Sequence, residues 1–277
     1  MVEMRKQKVD LHLHTNASDG SWGVSKLLNK LKDKNISIFS ITDHDTIENT
    51  INMKSKIKYT DLIFIPGVEI STTLNNKEYH ITAYNCDLED QNLNSLLSFN
   101  RKVRKDFNRD IIRFFEKEFE KELIHEYGDY KHNLDRGGWK SLNFLIDKGL
   151  VKDLEDFFKK IHSIDENMIF PPPQEVIDII HRAGGYAFLA HPASYFKGEP
   201  LEKNFLRKWL KFGIDGIEVY SPYLNNLNDA DYYIEFCHNH KLMFCSGSDC
   251  HGDFIKKRTV GKPEIYLSDL RIDKLLT

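Results

Sequence analysis

Histidine and carboxylate residues recur in this sequence at spacings that suit metal binding. His12 and His14 are two residues apart, as are Asp249 and His251. On an extended strand, such residues face the same side about 6–7 Å apart, close enough to share a metal ion or to hold adjacent ions. Clustered divalent metals activate water and neutralise phosphate charge, so these pairs favour hydrolysis of phosphate esters without a protein nucleophile.

Further residues of ligand type lie between these two pairs, each at or near the end of a predicted strand. They are Asp19 in a Ser-Asp-Gly turn, His44 in Thr-Asp-His-Asp, Glu69 after Pro-Gly-Val, His80, and His191 before a proline. Each of them alone is more often a hydrogen-bonded structural residue than a ligand. Together with the two pairs they exceed the roughly four to six ligands that one ion takes. Two or three ions are therefore implied, with Glu69 as a natural bridging carboxylate.

Two neighbouring features have a simpler interpretation. His238 and His240 repeat the His-x-His spacing, but they end a helical pattern, on which residues i and i+2 do not face each other. A surface or helix C-terminal role therefore suits this pair better than metal binding. Cys250 lies between two candidate ligands and would point away from them on a strand, so we expect it to pack in the core.

The elements that must position the candidate ligands alternate between strand and helix patterns. Apolar segments predict strands at 9–14, 36–41, 62–70 with a break at Pro66-Gly67, 79–84, 186–189, 215–220 and 242–246. Helical patterns follow at about 24–31, 45–57, 201–212 and 228–240. This α/β alternation indicates a parallel β/α barrel or an open sheet, in which functional residues gather at the C-terminal ends of strands.

Residues 100–170 interrupt the alternation with helical patterns and no strand pattern. We interpret this segment as a helical insertion in one βα loop. The sequence then divides into a catalytic domain, 1–99 and 171–277, and a small helical insertion domain, 100–170, that covers the substrate.

The composition argues against several broad classes of protein. The 277 residues are 40% hydrophobic and 29% charged, and the formal net charge of −3 provides no basic excess for nucleic acid. The apolar runs are short and interrupted, which predicts no transmembrane helix. The four cysteines form no CxxC pair, and residues 1–9 contain no signal-peptide core, so we expect a cytoplasmic protein without disulfides.

The motifs DLHLHT, ITDHDT, PGVEIS, LAHP and SGSDCHG occur in this order along the chain. Together they resemble the polymerase and histidinol phosphatase (PHP) superfamily over about 1–88 and 171–277. The Ser-Asp-Gly turn and the insertion before LAHP are most similar to one branch of that superfamily. That branch includes nucleoside 3′,5′-bisphosphate phosphatases and 5′-to-3′ exoribonucleases.

The resemblance implies a distorted (β/α)7 barrel with a trinuclear metal site. It favours manganese as the metal, and the ligand types would also accept iron, zinc or cobalt. The metal ligands that it implies are His12, His14, Asp19, His44, Glu69, His80, His191, Asp249 and His251. Every one of these positions holds a residue able to bind a metal, so we expect an active site rather than a degenerate one.

The sequence contains no recognisable protein nucleophile, such as the serine of a GxSxG elbow. The attacking group is therefore expected to be a metal-bridged hydroxide. His191 and His44 are the candidates for acid–base catalysis, and the role of each stays unassigned because both are also expected ligands.

An anionic substrate needs cations outside the metal shell. Arg101, Arg104 and Arg109 at the start of the insertion are candidates, since guanidinium groups suit bidentate phosphate binding. The alternative is a solvated helix face. Arg136, next to Gly-Gly-Trp, is a fourth candidate, and there the alternative is a turn that places Trp139 in the core of the insertion.

We expect a metal-dependent phosphoesterase that acts on a nucleotide, a nucleoside 3′,5′-bisphosphate or the 5′ end of a short RNA. One alternative is a phosphatase of a small non-nucleotide phosphomonoester, such as histidinol phosphate. A second alternative is a non-catalytic, metal-stabilised domain. A pure nucleic-acid-binding module fits least well, because no recognition motif is visible. Neither a membrane nor an obligate protein partner is expected.

Overall fold

The strands form two sheets in the computed structural model, which describes residues 7–58, 60–162, 164, 168–196 and 201–277. The first sheet is parallel and has the order β1 (Lys8–Asp10), β2 (Ile36–Phe39), β3 (Ile63–Phe64). The second has the order β4 (Gly67–Leu74), β5 (Lys77–Tyr84), β6 (Tyr186–Leu189), β7 (Gly216–Tyr220), β8 (Met243–Ser246). The predicted α/β class is therefore confirmed.

The second sheet differs from the parallel alternation that the sequence pattern predicts. Strands β4 and β5 form an antiparallel hairpin, and β5 is also antiparallel to β6, whereas β6, β7 and β8 are parallel. Asn75 and Asn76 connect the hairpin with positive φ angles of 53° and 59°, the backbone that a tight two-residue turn requires. The predicted strand at 62–70 is in fact two strands that belong to different sheets.

Backbone hydrogen bonds beyond the strand ends connect the two sheets. On one side the Leu11 N–H donates to the Ser246 carbonyl at 2.9 Å, which joins β1 to β8. On the other side the Asp45 N–H donates to the Glu69 carbonyl at 2.8 Å, which joins the segment after β2 to β4. His12, His14, His44 and Glu69 lie on or next to these extended segments, where the two sheets meet.

The helices largely follow the predicted positions. They are α1 (Val24–Asp33), α2 (Glu48–Ile57), α3 (Gln91–Phe119), α4 (Ile124–Asp129), α5 (Lys140–Asp147), α6 (Leu154–Ile161), α7 (Pro173–Arg182), α8 (Lys203–Phe212) and α9 (Ala230–His240). Amphipathic spacing explains α1, in which Leu27 and Leu31 are buried against the sheet. In the described part of the chain, no helix combines the length and apolarity needed to cross a membrane.

Helix α3 runs without interruption through the predicted domain boundary at residue 100. Its first turns pack on the main core through Leu93 and Leu97, whereas Ile111 and Phe115 belong to a separate hydrophobic cluster with residues of α5 and α6. The single helix thus links the sheets to the helical insertion. The division into 1–99, 100–170 and 171–277 stays a prediction.

Candidate metal centre

Glu69 lies at the centre of the candidate ligands. It is fully buried in β4, and its Oε2 atom is 3.2 Å from Nε2 of His12, 3.2 Å from Nε2 of His14 and 3.1 Å from Nδ1 of His44. The two histidines of the His-x-His motif follow β1, and their Nε2 atoms are 3.1 Å apart. Leu13 between them is fully buried on the opposite side, as period-two alternation requires.

The other oxygen of Glu69 faces two more histidines. Its Oε1 atom is 3.0 Å from Nδ1 of His80 and 2.9 Å from Nε2 of His191. His80 lies within β5 rather than at a strand end. It reaches the cluster because β5 is antiparallel to β6, and the His80 carbonyl accepts from the Ala190 N–H at 3.1 Å, next to His191.

The second pair, Asp249 and His251, follows β8 and completes the cluster. Oδ1 of Asp249 is 3.1 Å from Nε2 of His14, and Nε2 of His251 is 3.3 Å from Oδ2 of Asp19. Cys250 between them is buried among apolar residues, as predicted. Burial raises the pKa of this thiol to about 12, so it is not activated as a nucleophile.

The structure brings together all the predicted ligands. Their ligating atoms form four overlapping groups, each within 4.8 Å: His14/Asp19/His44/His251, His12/His14/Asp249, His12/Glu69/His191 and His44/Glu69/His80. Among the described residues, Nδ1 of His44, Nδ1 of His80 and Oε2 of Glu69 are buried without a hydrogen-bond partner. Such atoms are costly to bury unless something binds them. The residues therefore fit a set of divalent cations, whose binding stays a proposal.

The charges of the cluster favour a bound cation. Burial opposes charge on the imidazoles, yet Glu69 holds the pKa of His12 well above its ordinary value. Against the same burial, Asp249 and Glu69 raise the pKa of His14 to about 9, and Glu69 raises the pKa of His80 to about 10. Protons on these histidines thus compete with a metal for the same nitrogen atoms.

The carboxylates show the complementary shift. Burial alone would raise their pKa values, but the surrounding histidines hold the pKa of Glu69, Asp19 and Asp249 well below the ordinary range. Burial lowers the pKa of His44 well below its ordinary value, which keeps this ring neutral and able to bind a cation.

Two of the candidate ligands have a strained backbone conformation. His191 and Asp249 have positive φ angles of 29° and 47°, which non-glycine residues rarely adopt. A conformation of this kind persists where the surrounding contacts over-determine it, and it clusters at functional sites. One such contact is the hydrogen bond from the His191 N–H to Oε2 of Glu218, at 3.0 Å.

Glu218 is a functional candidate that the sequence analysis missed. It is fully buried in β7, and its Oε2 atom is 2.8 Å from Nδ1 of His12. A carboxylate that orients a metal-binding histidine fixes the tautomer of the ring and raises its basicity. The available signal was a charged residue in the middle of the apolar strand Gly-Ile-Glu-Val.

Arg258 and Tyr223 were not predicted as site residues either. Nη1 of Arg258 donates to Oδ2 of Asp249 at 2.7 Å, and the Tyr223 hydroxyl donates to the same oxygen. The guanidinium carbon lies 4.9 Å from the centre of the Tyr223 ring. The structure places this arginine at the rim of the cluster.

Two cavities open onto the cluster. One, of about 280 Å³, is bordered by Tyr223 and Arg258. The other, of about 490 Å³, extends from Asp19, His44 and His80 towards the insertion. The wall of this larger cavity is aromatic and aliphatic, and it consists of Phe107, Ile111, Trp139, Phe157, Phe158, Ile161 and Met168. An apolar cavity with a charged floor is typical of a site for a small organic ligand.

Two of the four predicted arginines line the larger cavity. Arg101 donates to the Asp45 carbonyl at 2.6 Å. Arg104 donates through Nε to Oδ2 of Asp45 at 3.0 Å and through Nη2 to Oε1 of Glu78 at 2.7 Å, while Oε1 of Glu78 is also 2.9 Å from Nε2 of His80. Arg104 is thus held beside the cluster by its two carboxylate partners.

The other two arginines are not brought to the cluster. Arg109 lies on another face of α3 and lines a separate cavity. Arg136 forms an ion pair with Asp147 of α5, at 2.7 Å. The Gly-Gly turn after Arg136 contacts the loop that contains Asp19, since the Gly138 N–H donates to the Asp19 carbonyl at 2.7 Å. Trp139 packs against the core of the insertion, which is the alternative that the sequence analysis gave for this turn. It also borders both cavities at the cluster.

Sequence comparison agrees with this arrangement. A model of the PHP domain matches residues 10–169 of this chain. The chain belongs to the PHP domain family. The family prediction is therefore confirmed, and with it the expected class of metal-dependent phosphoesterase.

Relatives in this family extend over most of the chain. The 5′-3′ exoribonuclease Rnm of Escherichia coli is 30% identical over 260 residues, which cover 87% of this chain and 84% of the relative. The 3′,5′-nucleoside bisphosphate phosphatase of Chromobacterium violaceum is 25% identical over 265 residues, which cover 92% and 91%.

Solved structures share the fold. A structure from Bifidobacterium adolescentis superposes with a TM-score of 0.78 at 20% identity and covers 98% of this chain and 94% of that one. A second, of an amidohydrolase from Chromobacterium violaceum with bound sulfate, has a TM-score of 0.76 at 23% identity and covers 91% and 89%.

Proposed function

We propose that this protein is a metal-dependent phosphoesterase that acts on a nucleotide, a nucleoside 3′,5′-bisphosphate or the 5′ end of a short RNA. The observation that carries the proposal is the continuity between the buried His/Asp/Glu cluster and an aromatic cavity with arginines at its floor. The names of the relatives from Escherichia coli and Chromobacterium violaceum support the same substrate class.

The cluster would hold two or three divalent ions. Glu69 lies between the two groups of histidines that face its two carboxylate oxygens. Manganese is the proposed metal, and iron, zinc and cobalt are the alternatives that this mixture of nitrogen and oxygen ligands also accepts. When bound, such ions supply Lewis-acid activation of water and neutralise phosphate charge. Cys250 is buried among apolar residues away from the cluster and is not available there as a nucleophile.

The protein side chains would bind and orient the substrate. Arg104 presents its guanidinium group to the larger cavity while Asp45 and Glu78 hold it in place, which reduces the entropy lost when it meets a phosphate. His44 and His191 border the cluster as the candidates for acid–base catalysis, and that role stays a prediction for both. Glu218 orients the ring of His12 through Nδ1 and holds the backbone of His191 by accepting from its N–H.

The aromatic wall favours a nucleotide over a small aliphatic phosphate. Phe158 is 52% exposed and packs against Trp139, with the ring centres 5.8 Å apart, and both side chains line the cavity. Aromatic side chains in such a position stack with nucleobases, each stack being worth about 1–3 kcal/mol. A phosphatase of histidinol phosphate is the alternative, since an imidazole could also enter this cavity.

We propose that the two sheets, which backbone hydrogen bonds connect on both sides, together form a distorted (β/α)7 barrel. The helical segment between β5 and β6 would then be the insertion domain that covers the substrate. We also keep the cytoplasm as the proposed compartment. Its support is that Cys86, Cys237, Cys245 and Cys250 are all free and buried.

The deciding experiment is manganese-dependent phosphate release from adenosine 3′,5′-bisphosphate, with His12→Ala as the blank. The proposal expects release by the wild-type protein and none by His12→Ala or Asp249→Ala. No release from protein that holds its metals would overturn the substrate class and favour histidinol phosphate as the next substrate. No turnover of any phosphomonoester by the metal-loaded protein would favour a non-catalytic, metal-stabilised domain.

A further inference from the structure

A basic cavity lies on the insertion, apart from the candidate metal centre. It has a volume of about 680 Å³ and contains Lys105, Arg109 and Arg113 from α3 and Lys140 from the start of α5. In the part of the chain that the structure describes, no carboxylate lines it. A concave surface with one sign of charge concentrates oppositely charged ligands.

Three of the four cations of this cavity are poorly compensated, whereas Arg113 pairs with Asp110 at 2.7 Å. Within the described residues, Lys105 and Arg109 form no ion pair or hydrogen bond with a carboxylate, and Lys140 donates only to the Gly128 carbonyl, at 3.3 Å. The Nζ atom of Lys140 also lies 4.7 Å from the centre of the Tyr127 ring. Burial, together with the positive charges of Lys105 and Arg109, lowers the pKa of Lys140. A bound anion would relieve this repulsion.

The basic cavity adjoins the aromatic cavity of the metal centre. Asn108 borders both, while Arg104 and Arg109 lie on different faces of the same helix, Arg104 in the aromatic cavity and Arg109 in the basic one. These arginines are five residues apart, which corresponds to about 7.5 Å along the helix axis.

We propose that the cavity lined by Lys105, Arg109 and Lys140 is a second anion site, which holds a backbone phosphate of a single-stranded oligonucleotide whose terminal nucleotide occupies the metal centre. The assignment rests on the proposed function for the identity of the terminal nucleotide. It adds that the protein binds strands of two or more nucleotides better than mononucleotides. The site would be sequence-independent, because cations on a groove read the backbone rather than the bases.

The test is the binding of a 5′-phosphorylated RNA hexamer, labelled with fluorescein at its 3′ end and carrying hydrolysis-resistant phosphorothioate linkages, to the manganese-loaded protein, followed by fluorescence anisotropy. Lys140→Gln and the double variant Lys105→Gln/Arg109→Gln are compared with Lys102→Gln. Lys102 is the matched control because it is on the same helix, is 75% exposed, and pairs with Asp106 outside the cavity. Affinity for adenosine 3′,5′-bisphosphate is measured by competition.

We expect Lys140→Gln to weaken hexamer binding about fivefold or more, and Lys102→Gln to change it less than about twofold. The slope of log Kd against log salt concentration should fall by about 0.7 for each phosphate contact removed. Equal effects of Lys140→Gln and Lys102→Gln would overturn the site, as would equal losses for the hexamer and for the bisphosphate. Because this readout needs no turnover, it separates failure of the anion site from failure of the phosphoesterase proposal.

Discussion

Nδ1 of His12 lies 2.8 Å from Oε2 of Glu218, and both side chains are fully buried. The same carboxylate oxygen accepts a hydrogen bond from the His191 N–H at 3.0 Å. One buried carboxylate therefore orients two candidate ligands that come from different strands. With Nδ1 of His12 donating to Glu218, the Nε2 atom is left free to bind a cation.

Glu218→Gln should weaken metal binding by about 10–100-fold while the protein remains folded, because the amide keeps the shape but not the charge that raises the basicity of His12. The measurement is metal affinity by isothermal titration calorimetry, together with the metal concentration that gives half-maximal turnover. Glu235→Gln is the matched control, since Glu235 is 65% exposed and pairs only loosely with Lys203, at 3.6 Å. Equal metal affinities in the two variants would rule out an orienting role for Glu218.

Metal binding should release protons at pH 7.5. The pKa of His14 is raised to about 9 and that of His80 to about 10, so both rings carry protons in the metal-free protein and must lose them to bind a cation. Calorimetric titrations in two buffers of different ionisation enthalpy measure the number of protons released. Apparent metal affinity should also rise as the pH increases from 6.5 towards 9. A binding enthalpy independent of the buffer would contradict this assignment of protons.

The same shifts predict how the metal-free protein responds to pH. A folded pKa above the unfolded value of 6.5 stabilises the fold fully below pH 6.5, and this contribution is lost as the pH rises through about 9 for His14 and about 10 for His80. The free energy of unfolding in chelator should therefore fall between pH 7 and pH 10. Urea titrations at several pH values check this, and saturating metal should flatten the profile. A metal-free stability that increases over this range would refute it.

Arg104→Gln should raise KM for adenosine 3′,5′-bisphosphate by about tenfold or more, because the guanidinium fork borders the cavity next to the cluster. Arg104→Lys should be intermediate, since it keeps the charge but loses the bidentate geometry. Lys102→Gln on the same helix is the control for the loss of one charge. An unchanged KM in Arg104→Gln would remove this residue from the substrate site and leave it the role of holding Asp45 and Glu78.

Phe158→Ala should distinguish a nucleotide substrate from a small aliphatic phosphate. Loss of one stacking partner costs about 1–3 kcal/mol, which corresponds to a rise in KM of about fivefold or more for adenosine 3′,5′-bisphosphate. KM for ribose 5-phosphate should change by less than about twofold. Phe119→Ala provides the control, because Phe119 is also partly exposed, at 38%, but ends α3 away from the cavity. Equal effects on both substrates would contradict base stacking at this wall.

The candidate ligands could be found from the sequence because their chemistry is local. His-x-His and Asp-x-His are readable as motifs, and apolar alternation places them on extended segments. Glu218 could not be assigned in the same way. Its partners His12 and His191 are far away in the chain, and only the pairing of β7 between β6 and β8 brings its carboxylate behind them.

The arginines could be proposed from the sequence, but their partners could not. A helical pattern indicates that residues three or four apart share a face, but it does not say what that face meets. Arg104 faces the cluster, and Arg109, five residues later on the same helix, faces a second cavity on the insertion. Arg136 pairs with Asp147 of α5, a partner that depends on how the insertion folds on itself.

The sequence by itself determined the donor chemistry, the α/β class, the helical character of residues 100–170 and the family, because these depend on residue types and on short periodicities. Only the tertiary structure decided which groups meet. The antiparallel hairpin of β4 and β5 turns His80 towards Glu69, and the hydrogen bonds that join the two sheets bring the ligands after β1 and β8 to the same place. Distances between atoms of residues remote in the chain depend on strand order and register, which neighbouring residues do not encode.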